Sequence, residues 1–168
     1  HPWLLVGEDK MSKSKGNVMY ADELAHYFGV DAVRYYLLSE IPFAQDGSIT
    51  YESLIAKYNA DLSNTLGNLV NRSIAMANKY FNGKVTKPTD ANELDCDLAE
   101  TAKGTVEAYT RMMDQYRTAE ASDAIIRLAH RCNKYIDETT PWILAKETEH
   151  HSRLNNVLYN LIECVRIL

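Results

Sequence analysis

The sequence predicts an all-α protein, in which an antiparallel helix bundle is preceded by a small segment of strand, loop and helix. After residue 50, apolar residues recur at three- and four-residue spacing in four segments joined by short connections. The hydrophobic fraction of 46% in a chain of 168 residues is also sufficient for a sizeable core. We therefore expect four helices that bury their apolar faces against one another.

The first element is a predicted strand over the apolar run from Trp3 to Val6. It stands alone at the start of the chain, where it has no visible partner for its edges. Residues 161–168 at the other end still have a helical pattern without a glycine cap. We therefore expect this chain to be part of a longer protein.

Two short helices are predicted next. Residues 23–28 form the first, and Gly29 ends it in a left-handed conformation. Asp31 is a suitable N-cap for the second helix, and the Ile-Pro-Phe run at residues 41–43 stops it.

A long helix is predicted from Thr50, whose side chain can cap it, to about Asn82, where Gly83 ends it. Residues 83–95 are rich in turn-forming residues and are predicted to be a loop. Further helices are predicted around residues 98–116, 121–136, 142–146 and 154–168. The residues assigned to their buried stripes include Tyr109, Met113, Tyr116 and Tyr135.

We place a domain boundary near residue 50. Residues 1–50 end with a turn at Asp46-Gly47 and a short extended stretch at 48–50, so this part mixes strand and helix. Residues 51–168 are predicted to be entirely helical and to form the second domain.

The charge balance limits the classes of function. A net charge of −5, from 18 Lys and Arg against 23 Asp and Glu, argues against a protein that coats nucleic acid. Contacts with RNA must therefore be local and directed. The sequence shows neither a signal peptide nor an apolar run long enough to span a bilayer. We expect a cytoplasmic location and no membrane partner.

No metal site is predicted. Cys96, Cys132 and Cys164 lack the close spacing of zinc ligands, so we expect buried thiols in a reducing compartment. His150 and His151 are assigned to a solvated turn.

The loop that begins at Lys10 is a candidate phosphate contact. Three ammonium groups, two hydroxyls and a glycine occur within seven residues that have no apolar face. Lysines contact phosphate as flexible charges, and hydroxyl and backbone N–H groups donate hydrogen bonds to it. When a carboxylate attacks the α-phosphorus of ATP, lysines on the leaving pyrophosphate stabilise the transition state. A solvated basic loop is the alternative.

The long helix carries a second candidate site. Asn64, Asn68 and Arg72 recur every four residues, so an α-helix places them nearly in line, with Asn71 beside them. Their amides and guanidinium suit the edges of unstacked bases in single-stranded RNA. The alternatives are an ordinary solvent face, or amides that tie helices together.

Trp142 is the third candidate. It follows Pro141 at a predicted helix start, where Thr140 can act as the cap. An indole held there can offer its face to a base. The alternative is a core tryptophan near the end of the bundle.

Together these features resemble the methionyl-tRNA synthetases of bacteria. Residues 10–14, Lys-Met-Ser-Lys-Ser, match the KMSKS signature of class I aminoacyl-tRNA synthetases. That signature also fits the leucyl, isoleucyl, valyl and cysteinyl enzymes, but the segment Gly67–Arg72 and the pair Pro141-Trp142 point to methionine. Further matching segments are residues 29–38, 40–43, 46–47, 59–62 and 145–146.

The resemblance implies a division of roles. Residues 1–50 would hold the catalytic loop and a stem-contact segment, and residues 51–168 would form a class Ia anticodon-binding domain. It also implies that Asn68, Arg72, Pro141 and Trp142 contact the CAU anticodon. The catalytic loop would comprise Lys10, Met11, Ser12, Lys13 and Ser14, with Lys10 and Lys13 on the phosphates of ATP.

The implied parent enzyme is a methionine–tRNA ligase that uses ATP, Mg²⁺, methionine and tRNA(Met). The HIGH signature, the methionine pocket and the inserted domain that often holds zinc do not occur in this sequence. We therefore expect a chain that is inactive by itself, with no bound cofactor and no zinc. The C-terminal dimerisation module of many bacterial members is also missing, so we expect a monomer. Two alternatives stay open: the matching part of another class I synthetase, and a helical interaction module without an RNA function.

Overall fold

A computed structural model of the chain describes residues 3–7, 9–41 and 44–168. It is predominantly helical with one small sheet, which confirms the predicted fold class. The chain divides into two compact units, His1–Asn64 with Ala108–Ala124, and Thr65–Glu107 with Ile125–Leu168. These units do not coincide with the two predicted domains, whose boundary near residue 50 stays a prediction.

The first unit contains a three-stranded sheet. Strand β1 (Leu4–Val6) lies in the middle, antiparallel to β2 (Asp9–Lys10) and parallel to β3 (Gly47–Ile49). The predicted strand is thus confirmed, but the expectation that it lacks a partner is wrong. Its second partner arrives about forty residues later, which local pattern does not reveal. Gly47 is required in β3 because a Cβ there would collide with the side chain of Ile41.

Helices α1 (Ala21–Phe28) and α2 (Val30–Glu40) connect these strands. Gly29 ends α1 with a φ of 84°, but its ψ of 147° differs from the predicted left-handed cap. It is also the N-cap of α2, so Asp31 lies in the first turn and the predicted Asp31 cap is wrong. Pro42 and Phe43, predicted to stop α2, lie outside the described residues. The core of this unit comprises Leu24, Val33, Tyr36, Ile49 and Leu54.

The predicted long helix exists but changes its hydrogen-bonding pattern. Helix α3 (Tyr51–Lys57) begins as predicted at Thr50, whose Oγ1 accepts a 3.0 Å hydrogen bond from the Ser53 N–H. A π-helix follows over Tyr58–Gly67, and α4 (Asn68–Phe81) then continues the rod. This π-helical segment was not predicted from the sequence. Asn82, with a φ of 51°, and Gly83, with a φ of 75°, end α4.

The second unit has a four-helix core. Helix α4 is joined there by α5 (Glu93–Asp114), α6 (Thr118–Thr139) and α8 (His151–Ile167), while α7 (Pro141–Leu144) is a short turn of helix. Side chains from all four long helices share one buried cluster, which confirms the predicted bundle. It includes Leu69, Leu98, Leu128, Ile136 and Leu158.

Some predicted core residues are exposed. On α5, Tyr109 and Met113 are about two-fifths exposed, and Tyr116, just after the helix, is 69% exposed. The prediction that these three side chains belong to the buried stripe is therefore wrong. Tyr135 is fully buried, as predicted. Of the three thiols, Cys132 and Cys164 are buried as predicted, but Cys96 is exposed.

A buried ion pair ties the start of α5 to α8. The Asp95 carboxylate accepts hydrogen bonds from the Arg153 guanidinium, with Nη2 2.9 Å from Oδ1, and from the Tyr135 hydroxyl. It also accepts a 3.0 Å bond from the Asn92 backbone N–H, and the Asn92 side chain accepts from the Asp95 N–H. Burial raises the pKa of Tyr135, and the neighbouring carboxylate raises it further, so the phenol stays a donor.

Candidate functional site

The lysine loop follows β2 and is closed by one side chain. Oδ1 of Asn17 accepts a 2.8 Å hydrogen bond from the Ser12 N–H, and its Nδ2 donates to the Lys10 carbonyl at 3.3 Å. A short 3₁₀ turn, Lys13–Lys15, lies between these anchors. Gly16 ends this turn and itself adopts a left-handed conformation, with a φ of 68°. This role of Asn17 was not predicted from the sequence, although Asn side chains commonly bind nearby backbone in turns.

The side chains of the loop have different environments. Met11 is half-buried and packs against the core of the first unit, so it anchors the loop. The Lys15 ammonium lies 2.8 Å from Oδ1 of Asp9, and the Lys10 ammonium lies 4.7 Å from the centroid of the Trp3 ring. Lys13 is exposed and makes no ion pair within residues 3–7, 9–41 and 44–168. Its ammonium is therefore the one in the loop most available to an incoming anion.

The two loop hydroxyls lie side by side. The Ser12 and Ser14 oxygens are 2.8 Å apart and both face an exposed region of the loop. With the lysines, they provide cationic and hydrogen-bonding groups on a solvent-facing turn. This arrangement can contact phosphate oxygens.

The second candidate site lies on α4. Asn68 is the first residue of this helix and is exposed. Arg72 lies one turn later and is half-buried. Nη2 of Arg72 lies 3.3 Å from Oδ1 of Asp137 on α6, and the Asp137 side chain is 68% exposed. Asp137 was not predicted as part of this site, because nothing in the local sequence connects it with a residue 65 positions earlier. The ion pair holds the guanidinium beside the last turns of α6.

Asn64 precedes α4, and its alignment with Asn68 and Arg72 stays a prediction. It lies in the π-helix, where hydrogen bonds join residue i to i+5 and each turn holds more residues than in an α-helix. Asn68 and Arg72 both lie in α4, so their shared face is retained.

Trp142 is presented at the turn that follows α6. Thr140 adopts a left-handed conformation, with a φ of 43°, and its side chain makes no cap hydrogen bond, so the predicted Thr140 cap is wrong. Pro141 is buried at the first position of α7, as expected for an N1 proline. The Trp142 side chain remains 43% exposed, which excludes the alternative of a core tryptophan. Asp137, the partner of Arg72, lies four residues before this proline.

One group of potential metal ligands lies elsewhere. In the described part of the chain, only Glu147, Glu149 and His150 bring three such ligand atoms within 4.8 Å of one another. The His150 Nε2 is 3.5 Å and 3.6 Å from the two carboxylates, and all three residues are exposed. Exposed acidic groups of this kind are common in proteins without a bound ion, and we assign them no ligand. None of the described helices is long and apolar enough to cross a membrane.

The chain is similar to known proteins over its whole length. A family model described as tRNA synthetases class I (M) matches residues 1–74. The methionine–tRNA ligase of Clostridium perfringens is 51% identical over 168 residues, which are 100% of this chain and 26% of that protein. The methionine–tRNA ligase of Bacillus subtilis is 46% identical, over 99% of this chain and 25% of its own length. The chain thus spans about a quarter of these relatives.

Solved structures give the same result. A Mycobacterium tuberculosis methionyl-tRNA synthetase in complex with methionyl-adenylate matches with a TM-score of 0.92 and 40% identity, over 98% of this chain and 33% of that one. The apo form of the same enzyme matches with a TM-score of 0.84 and 38% identity, over 89% of this chain and 30% of that one. From this likeness in sequence and structure, we conclude that the chain belongs to the methionyl-tRNA synthetases, within the class I aminoacyl-tRNA synthetases.

Proposed function

We propose that this chain serves a methionine–tRNA ligase in two ways: its lysine loop contacts ATP during methionine activation, and its bundle reads the CAU anticodon of tRNA(Met). The observation that carries the second role is the exposed Trp142 indole on α7, which directly follows α6, the helix whose Asp137 holds Arg72. The names of the relatives and the methionyl-adenylate in a solved relative support the reaction.

In the activation step, the methionine carboxylate attacks the α-phosphorus of ATP. A new oxygen–phosphorus bond forms, the bond to the bridging oxygen breaks, and pyrophosphate leaves with the electron pair. Lys10 and Lys13 would neutralise the charge that builds on this leaving group. Mg²⁺ would accompany ATP in the whole enzyme, and we assign it no ligand in this loop. We propose no zinc site in this chain.

In anticodon recognition, the bases of the loop leave their stack and dock on the bundle. The Trp142 face would stack on one base, while Asn68 and Arg72 would donate hydrogen bonds to base edges. Pro141 is buried and would act by holding the indole in place. Asp137 orients Arg72, so the guanidinium loses less conformational freedom when RNA binds.

Replacing Trp142 by alanine is expected to weaken binding of a CAU stem-loop by about 1–3 kcal/mol, because a stacked base is lost. Fluorescence anisotropy of a labelled stem-loop measures this change. Ile143→Ala is a matched control, since Ile143 is the next residue on α7 and is 51% exposed.

The same assay tests base readout itself. A stem-loop with a changed first anticodon base should bind the wild-type chain more weakly than the CAU form. Equal affinities for the two RNAs would contradict the proposal. Binding that does not weaken with added salt would favour an interaction module without an RNA function, because phosphate contacts release counterions.

Three further properties belong to the same proposal. The chain by itself is expected to be a monomer, to lie in the cytoplasm when part of its enzyme, and to catalyse no exchange between ATP and pyrophosphate. Sedimentation analysis and an exchange assay on the isolated chain measure the first and the last.

A further inference from the structure

The π-helix ends directly before the first residue of the proposed reading face. It covers Tyr58–Gly67, and α4 begins at Asn68. π-Helical segments, in which hydrogen bonds join residue i to i+5, are rare, and they often occur at functional sites. A segment of this length needs contacts from outside to keep it from relaxing to an α-helix. The neighbouring helices of the bundle can supply such contacts.

One such contact comes from Asn133 on α6. Its Nδ2 donates a 3.1 Å hydrogen bond to the carbonyl of Thr65, inside the π-helix, and another of 3.1 Å to the carbonyl of Ala129 on its own helix. Thr65 is itself buried. The two carbonyls dictate the orientation of the amide, because the reverse orientation would place its oxygen against both of them. Asn133 is therefore a specific donor to the last turn of the π-helix.

Two polar contacts join α6 to the rod formed by the π-helix and α4. On α6, Asn133 and Asp137 lie one turn apart and share a face. They contact Thr65 and Arg72, respectively, so one link lies just before Asn68 and the other just after it. The turn that presents Asn68 is therefore held at both ends.

We propose that Asn133 is a positioning residue for anticodon recognition, acting through the π-helix rather than by contact with RNA. Its amide keeps the final π-helical turn in place and so sets the rotation at which α4 begins. Without that donor, the segment relaxes toward α-helical bonding, which turns Asn68 and Arg72 away from their docking orientation. This inference rests on the proposed function.

The test measures binding of the CAU stem-loop to Asn133→Ala and Asn133→Ser. Serine can still bond the Ala129 carbonyl within α6, but its shorter side chain cannot replace the link to Thr65. Both variants are expected to bind the CAU form about tenfold more weakly and to discriminate less against a changed first anticodon base. Asn160→Ala is the matched control, because it also removes an amide that links two helices, donating to the Tyr135 hydroxyl at 3.3 Å.

A second measurement separates positioning from general stability. In a chain that already carries Asn68→Ala and Arg72→Ala, the Asn133→Ala change should have little further effect on RNA binding. Hydrogen exchange at the amides of residues 66–70 should accelerate in Asn133→Ala and Asn133→Ser, but not in Asn160→Ala. If Asn133 contributed only to general stability, its replacement would weaken RNA binding by the same amount in every background. The faster hydrogen exchange would then not be confined to residues 66–70.

The outcomes distinguish the two proposals. If the wild-type chain discriminates between the RNAs while the Asn133 variants bind as tightly as Asn160→Ala, the positioning role is wrong and the proposed function stands. If the wild-type chain does not discriminate, the proposed function fails and this inference fails with it. Should Asn133→Ala not fold, the serine variant decides between these results.

Discussion

Replacing Lys13 by alanine is expected to slow methionine activation by about 10²- to 10³-fold in a full-length enzyme that carries this chain. Lys13 is exposed on the 3₁₀ turn of the loop and has no ion-pair partner in the part of the chain described. Its ammonium is therefore available to the charge that develops on pyrophosphate. Because that charge is largest in the transition state, kcat should fall more than the affinity for ATP.

Exchange of labelled pyrophosphate into ATP measures this rate, with kcat and KM determined separately. Lys15→Ala is a matched control two residues away. Its ammonium is already paired with Asp9 at 2.8 Å, so we expect a much smaller loss. Equal losses in the two variants would mean that only the total charge of the loop matters. An unchanged rate in Lys13→Ala would refute the role of this lysine.

The second large effect concerns stability. Asp95→Asn should lower the free energy of unfolding of the chain by about 3 kcal/mol at pH 7, because it leaves the Arg153 guanidinium without its charged partner. The Asp95 side chain is 3% exposed, so water replaces little of the lost interaction. Urea unfolding followed by circular dichroism measures the change. Asp97→Asn is the control on the same helix, because the Asp97 side chain is 60% exposed and its loss should cost under about 1 kcal/mol.

The same ion pair predicts a dependence on pH. Burial would raise the pKa of the Asp95 carboxyl, but hydrogen bonds from Arg153 and Tyr135 outweigh it and hold this pKa below its ordinary value. A carboxyl whose pKa is lowered in the folded state stabilises that state fully at pH values above its unfolded pKa, which is about 3.9. That stabilisation is lost as the pH falls through the lower folded pKa. The difference between wild type and Asp95→Asn should therefore shrink below about pH 4. A difference that stays constant down to acid unfolding would contradict this origin.

Much of the fold could be predicted because its causes are local. The Thr50 cap, the Pro141 start of α7 and the four apolar stripes each depend on residues within one or two turns of helix. The lysine loop and the pair Pro141-Trp142 could likewise be picked out as candidate contacts, because their chemistry is compact in the sequence. Exposure of Trp142 could not be predicted, since a half-covered and a buried indole leave the same local pattern.

The sequence by itself determined the helical class, the order of the elements and the residues that could meet phosphate or bases, since periodicity, capping and side-chain chemistry act over short distances. Tertiary structure alone decided that β3 completes the sheet beside β1, that Asn133 contacts Thr65 in the π-helix, and that Asp137 contacts Arg72 in α4. Each of these contacts joins residues 40 or more positions apart in the chain. Such contacts form only when packing brings distant segments together. The local sequence therefore does not predict which group a carbonyl or a guanidinium contacts.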